Sequence, residues 1–114
     1  MAQNAKSTTE WLTIPDLVDL LGLSVGRVRR LIDDNHLAAA RIDGVLKVPA
    51  SFIDEGEPMH ELHGTIVLLR DCGFEGNDLV EWLTTEEESL GVAPVDALKA
   101  GRKAEVRRIA QALL

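Results

Sequence analysis

The feature that most constrains the fold is a pair of short helical patterns separated by a turn of only three residues. Thr13 and Asp16 have the spacing of a capping box, so the first helix is expected to start there and to end at Gly22. Ser24, a preferred N-cap residue, starts the second helix almost at once. Two helices joined by so short a turn are typical of a helix-turn-helix. The sequence therefore predicts this motif near the N-terminus.

The second predicted helix has an apolar face and a basic face. At about 100° per residue, one side collects four apolar residues that are expected in the core: Val25, Val28, Leu31 and Ile32. Gly26, Arg27 and Arg30 point the opposite way, and Arg29 lies on the flank. We expect the basic face to contact a ligand. The alternative is a solvated face on which Arg30 pairs with a neighbouring aspartate.

A β-hairpin is predicted after the second helix. Residues 38–48 contain Asp43-Gly44, the dipeptide that type I′ turns prefer. A two-residue loop pairs Arg41 with Leu46. This register puts Arg41 and Lys47 on opposite faces of the hairpin, so we do not expect both to touch the same phosphates.

Composition divides the chain into four segments. Residues 1–10 are polar and are expected to form a disordered tail, and residues 54–58 are an acidic connector with Gly and Pro. Residues 11–53 hold the helix-turn-helix and the hairpin, and residues 59–114 have helical periodicity throughout. We predict a mainly α fold: a winged helix-turn-helix with a small β-hairpin wing, plus a C-terminal bundle of four helices.

The helical periodicity also predicts which side chains are buried elsewhere. In the first helix the expected apolar face is Leu17, Val18, Leu20 and Leu21. In the C-terminal part, the first apolar face is expected to hold Leu62, Ile66, Val67, Leu69 and Cys72. In the last helix we expect Leu113 to point inward and three cations to point outward: Lys103, Arg107 and Arg108.

Charge is distributed unevenly along the chain. The net charge is −7, yet residues 24–48 carry five cations against three carboxylates, and residues 99–114 carry five against one. Residues 49–98 carry twelve carboxylates and one arginine. Because the local field matters more than net charge at a phosphate backbone, the acidic middle does not exclude DNA binding. It predicts weak non-specific binding with a strong salt dependence.

The run from Leu12 to Ile32, LTIPDLVDLLGLSVGRVRRLI, resembles the winged helix-turn-helix of the MerR and excisionase group, as does the hairpin ending near VPASFI. As a whole the chain resembles a small actinobacterial DNA-binding protein family that joins such a head to a helical C-terminal domain. The resemblance implies that the major groove and nearby phosphates are contacted by Arg27, Arg29 and Arg30, with Arg41 or Lys47 on the wing. The helix start at Ser24 would also present backbone N–H groups to a phosphate.

The C-terminal part resembles another helical domain. Trp82-Leu83, Leu90-Gly91, Pro94-Val95 and the apolar residues that follow are similar to the toxin-binding domain of Xre/MbcA/ParS antitoxins. This resemblance implies a protein partner for the C-terminal domain.

Other candidate sites are less specific. His60-x-x-His63 lacks further ligands at a metal-site spacing, so no metal or other cofactor is expected. The single cysteine, Cys72, is expected in the core. Thr8 and Thr9 are candidate phosphorylation sites for a Ser/Thr kinase, the alternative being an inert tail.

The function expected from the sequence is sequence-preferring binding of double-stranded DNA, as a transcriptional regulator without enzyme activity. The alternatives are an antitoxin-like or adaptor module that binds a protein, and an excisionase-type factor that bends DNA. Because no signal peptide or apolar run of about 20 residues is present, we expect a cytoplasmic protein that does not enter membranes. No long heptad repeat is present, so both a monomer and a homodimer fit the sequence.

Overall fold

The computed structural model describes residues 10–113. The predicted tail lies outside them except for Glu10, and so do Thr8 and Thr9. The elements, in chain order, are β1 (Trp11–Thr13), α1 (Ile14–Leu21), α2 (Val25–Asp33), β2 (Ala40–Ile42), β3 (Val45–Pro49), a 3-10 turn (Ala50–Phe52), β4 (Ile53–Asp54), β5 (Glu57–Pro58), α3 (Leu62–Asp71), α4 (Gly76–Thr84), α5 (Pro94–Lys99) and α6 (Lys103–Gln111). The predicted fold class, a winged helix-turn-helix with a helical C-terminal bundle, is confirmed.

The wing is a three-stranded antiparallel sheet with the order β1-β3-β2. The predicted hairpin register is confirmed, because Arg41 lies opposite Leu46. Asp43 and Gly44 have φ angles of 54° and 81°, the left-handed pair that a type I′ turn requires. The third strand was not predicted. Trp11 is in β1 opposite Pro49, a partner that local sequence cannot indicate.

The segment predicted as a connector over residues 54–58 contains a second, smaller hairpin. Strands β4 and β5 pair Ile53 with Pro58 and Asp54 with Glu57. The backbone N–H of Met59 donates to the carbonyl of Phe52 at 2.8 Å, which continues the antiparallel pairing. The acidic run therefore turns sharply between the two parts of the chain.

One hydrophobic core runs through the helix-turn-helix and the C-terminal helices. Its members include fully buried side chains from both parts: Leu17, Val28, Val48, Phe52, Leu62, Ile66, Leu69, Leu79, Leu83, Leu98 and Val106. Phe52, in the 3-10 turn, is the largest of them, and this turn also lies against α5. The core thus fixes the wing and helices α1 and α2 relative to α3–α6.

Four residues that were expected in the core are exposed. Val25 is 50% exposed because it is the first residue of α2, and Leu113 lies beyond the end of α6. Leu20 lies about a quarter turn from the buried line of α1, and Val67 lies nearly half a turn from that of α3, so both residues face solvent although the predicted apolar faces included them. Leu31 and Ile32 are half-buried, and Val28 is the fully buried residue of α2.

The start of α6 is fixed by a bidentate ion pair. Arg102 donates from Nη2 and Nε to Glu105 at 2.9 and 3.0 Å, and from Nη1 to the carbonyl of Leu90 at 3.2 Å. The hydrogen bond from Arg102 holds the pKa of the Glu105 carboxyl below its usual value. The loop before α5 is thereby attached to α6. Farther along α6, Arg107 does not point outward as predicted but packs against Gly64 of α3.

Candidate nucleic-acid interface

The first helix of the motif is capped as the sequence predicts. Asp16 N–H donates to Thr13 Oγ1 at 3.3 Å, and Thr13 N–H donates to Asp16 Oδ2 at 2.9 Å, which completes a capping box. The hydrogen bond that the Thr13 backbone N–H donates to the carboxylate lowers the pKa of Asp16. Gly22 then ends α1 in the left-handed conformation at φ 71°, and its N–H donates to Val18.

The second helix starts three residues after Gly22, at Val25, because Ser24 caps it. Ser24 has an extended backbone, and its Oγ accepts the N–H of Arg27 at 3.2 Å. This cap leaves other N–H groups of the first turn unpaired within the helix and facing outward at its positive end. The start of α2 is therefore suited to contact with an anion.

Between Glu10 and Leu113, the basic face of α2 has no ion-pair partner. Arg27, Arg29 and Arg30 are all exposed, and within residues 10–113 none of their guanidinium groups forms an ion pair or hydrogen bond. Arg30 therefore does not pair with an aspartate in this structure. A shallow depression of about 410 Å³ is lined by Ser24, Gly26, Arg27 and Arg30. Arg29 lies outside it, on the flank of the helix.

The two wing cations occupy different surroundings. The exposed Arg41 side chain folds over the turn, with Nη1 3.5 Å from the carbonyl oxygen of Gly44. Lys47 is half-buried on the other face of the hairpin, opposite Thr13 in the register, and close enough to Asp16 to help lower the pKa of that carboxyl. The structure thus brings Ser24, Arg27 and Arg30 together and leaves Arg41 and Lys47 on separate faces.

A residue that the sequence did not single out attaches the wing to the C-terminal helices. Asn77, in the first turn of α4, accepts the backbone N–H of Arg41 at 2.8 Å and donates to the carbonyl of Arg41 at 3.2 Å. These two groups belong to the free edge of β2, so the amide side chain completes the hydrogen bonding of that edge. The partners are 36 residues apart, so local sequence patterns could not indicate this contact.

The remaining sequence candidates form no reactive site in the described part of the chain. The His63 ring stacks on His36 with centroids 4.4 Å apart, and its Nδ1 lies 3.2 Å from the carbonyl oxygen of Asn35. The half-buried Cys72 donates from Sγ to Ala110 at 3.5 Å. Between Glu10 and Leu113, no group of three or more His, Cys, Asp or Glu side chains is arranged to hold a metal ion. None of the helices there has the length and apolar character needed to cross a bilayer.

Two family models together match nearly the whole chain. Residues 3–53 match the wHTH domain of DNA-binding protein Rv2175c, and residues 59–114 match the Rv2175c C-terminal domain of unknown function.

Similar proteins carry the same name. A relative from Mycobacterium tuberculosis (strain ATCC 25618 / H37Rv), named DNA-binding protein Rv2175c, is 32% identical over 113 residues, which span 88% of this chain and 77% of the relative. The NMR structure of Rv2175c superimposes with a TM-score of 0.83 at 30% identity, over 92% of this chain and 81% of that one.

Proposed function

Because the chain belongs to the Rv2175c family, whose first domain is a DNA-binding winged helix-turn-helix, we propose that it binds double-stranded DNA with α2 in the major groove. The observation that carries this proposal is the depression at the start of α2, where Arg27 and Arg30 project without any partner in the described chain. Two free guanidinium groups beside a capped helix start can meet both base edges and phosphates.

Each site residue has a distinct proposed role. Arg27 and Arg30 donate to guanine O6 and N7, a bidentate contact worth about 1–3 kcal/mol of discrimination per base pair. The N–H groups at the Ser24 cap bind a phosphate at the groove edge, and Arg29 contacts the backbone from the flank. Arg41 at the exposed wing tip meets the adjacent backbone. DNA contact by Lys47 is less well supported, because this side chain is half-buried beside Asp16.

We propose transcriptional regulation in the cytoplasm as the biological role, without enzyme activity. An excisionase-type role in DNA bending uses the same surface and differs in its effect on the duplex. The antitoxin-like or adaptor role uses the C-terminal domain. This role is supported by the resemblance of that domain to toxin-binding domains. Phosphorylation of Thr8 or Thr9 by a Ser/Thr kinase stays a prediction, and so does the choice between monomer and homodimer.

The test is binding of fluorescently labelled genomic duplexes, followed by anisotropy at two salt concentrations. We expect salt-dependent binding that Arg27→Ala/Arg30→Ala weakens at least a hundredfold. The charge-matched control is Arg70→Ala/Arg108→Ala, two exposed arginines far from α2 in sequence, which should bind within about threefold of wild type. Equal losses in both double variants would contradict a specific role for α2. Protein that binds no duplex at low salt would refute the function itself.

Two further measurements separate the alternative roles. A bend measured by energy transfer between dyes at the two duplex ends would support the architectural role over simple operator binding. A function in cells that survives Arg27→Ala/Arg30→Ala would favour the protein-binding role of the C-terminal domain.

A further inference from the structure

A second basic site lies where the helix-turn-helix meets the C-terminal helices. A cavity of about 500 Å³ extends from the end of α2 to α3 and α6, and we call it the junction cavity. The lining residues that matter here are Leu31, His36, His63, Gly64, Lys103 and Arg107. None of the residues assigned above to DNA contact lines it.

Gly64 and Arg107 are matched to each other across this cavity. Gly64 lies inside α3, where glycine is less favourable than alanine, and its φ angle is not positive, so the backbone does not require glycine there. A Cβ atom at this position would overlap Nη2 of Arg107. Glycine therefore makes room for the guanidinium group at the expense of helix propensity.

Within residues 10–113, the guanidinium group of Arg107 has no hydrogen-bond or ion-pair partner. Arg107 is half-buried, its Nε is fully buried without a hydrogen bond, and within residues 10–113 it forms no ion pair. Buried donors are normally satisfied by protein, water or a ligand. An arginine that is given space by a glycine, yet is left unpaired, is arranged to receive an anion.

The surroundings favour a compact anion. Lys103 lies four residues before Arg107 on α6, so both cations face the same side. Glu57 and Glu61 also line the cavity, but neither lies within ion-pair distance of these cations. The two carboxylates disfavour a run of several phosphate groups inside the cavity, whereas one phosphate group can still reach the two cations. A single tetrahedral oxyanion can accept from the arginine fork and the lysine together.

We propose that the junction cavity binds a phosphate group, held by Arg107 and Lys103. The phosphate comes either from a small phosphorylated molecule or from the DNA backbone beside α2. Phosphate binding in the junction cavity does not require DNA binding by α2. An experiment can therefore refute either proposal without refuting the other.

Pyrophosphate is the first probe, added at constant ionic strength with chloride as the balancing anion. We expect the backbone amide resonances of residues 62–64 and 103–107 of ¹⁵N-labelled protein to shift saturably, a readout that every variant below retains. Gly64→Ala should weaken this binding at least tenfold while helicity is retained, because the added methyl meets only the end of a flexible side chain. Arg107→Gln should abolish it, and the control Arg108→Gln, exposed on the same helix, should not. The proposed site would be refuted if the wild-type protein showed no saturable shift. It would also be refuted if Gly64→Ala bound pyrophosphate as tightly as wild type does.

A second experiment, titration of Arg107→Gln with a DNA duplex, distinguishes a phosphate of the DNA backbone from that of a small molecule. This experiment rests on the proposed function. If the backbone supplies the phosphate, Arg107→Gln lowers affinity for all duplexes alike and reduces the salt slope by about 1. If a small molecule supplies it, DNA binding is unchanged in Arg107→Gln while pyrophosphate binding is lost. A variant unchanged in both experiments would refute the site.

Discussion

Arg27 and Arg30 illustrate what a single side chain contributes at this surface. Both guanidinium groups are exposed and unpaired in the described chain, so their removal should change folding stability little. Their loss should instead appear in binding, where each would leave a base edge or phosphate without its donor. A residue of this kind is recognised by a large effect on affinity without an effect on the free energy of unfolding.

The capping box makes stability depend on pH through Asp16. Its pKa is lowered in the folded protein, so its contribution is complete above the unfolded value and is lost as pH falls through the folded value. Asp16→Asn should therefore be less stable than wild type above about pH 5, and the difference should shrink in stronger acid. Urea unfolding at several pH values measures this, with Asp19→Asn on the same helix as control. A difference that is constant from pH 7 to pH 2 would contradict it.

Asn77 is expected to hold the wing edge. Asn77→Ala removes two hydrogen bonds to Arg41, so the Arg41 amide should exchange with solvent much faster and stability should fall by about 1–2 kcal/mol. Hydrogen exchange followed by NMR measures the first effect, and urea unfolding measures the second. Asp78→Ala, one residue along α4, is the control and should leave exchange at Arg41 unchanged. Equal exchange rates at Arg41 in wild type and Asn77→Ala would show that the amide does not protect the edge.

Residue roles were predictable where the cause is local. Thr13, Gly22 and Ser24 act within four residues of their partners, so spacing alone indicated them. Asn77 and Arg107 act on groups more than thirty residues away, which only the folded chain brings together. The outward direction predicted for Arg107 was wrong because periodicity describes one helix and not the glycine opposite it.

At the scale of elements, α2 combines a buried line with an unobstructed contact surface. Val28 is fully buried, whereas Gly26 and Arg27 lie on the opposite, exposed side of the helix. A Cβ added at Gly26 would meet no atom within 4 Å, so neither packing nor a positive φ explains this glycine. In the binding mode that we propose, the glycine would let the helix approach a groove closely.

Gly26→Ala should therefore have opposite effects on folding and binding. Alanine favours the helix by about 0.5–1 kcal/mol, so the variant should be more stable, while its methyl group should weaken DNA affinity. Urea unfolding and anisotropy test the two effects. Ala104→Gly, an exposed position in α6, is the control and should lower stability without changing affinity. Unchanged affinity in Gly26→Ala would mean that α2 does not approach DNA at this position.

Helices α1 and α2 and the wing hairpin were predictable from the sequence because caps, periodicity and an Asp-Gly turn mark them. Strand β1 was not, since three residues are too few to show alternation and its partner strand lies more than thirty residues on. The small hairpin of β4 and β5 was missed because an acidic run with glycine and proline also fits a connector.

At the scale of the whole molecule, the shared core should make the two parts unfold together. The core cluster includes residues of both parts, and Phe52 is fully buried in the 3-10 turn that lies against α5. Trp11 lies in the wing sheet and Trp82 in α4, so each reports on one part. Their indole N–H resonances, followed through a urea titration of wild type, should vanish with one midpoint. Two separated midpoints would show that the parts are independent domains.

We propose that this acidic chain binds DNA through one small basic surface at the start of α2. The direct measurement is the backbone amide spectrum of ¹⁵N-labelled protein titrated with the tightest duplex selected from a random pool. We predict that the largest shifts fall at residues 24–30, with smaller ones at the wing tip, and that residues 75–92 are unaffected. DNA binding through α2 would be contradicted if the largest shifts fell at residues 75–92, or if no resonance near residue 27 shifted.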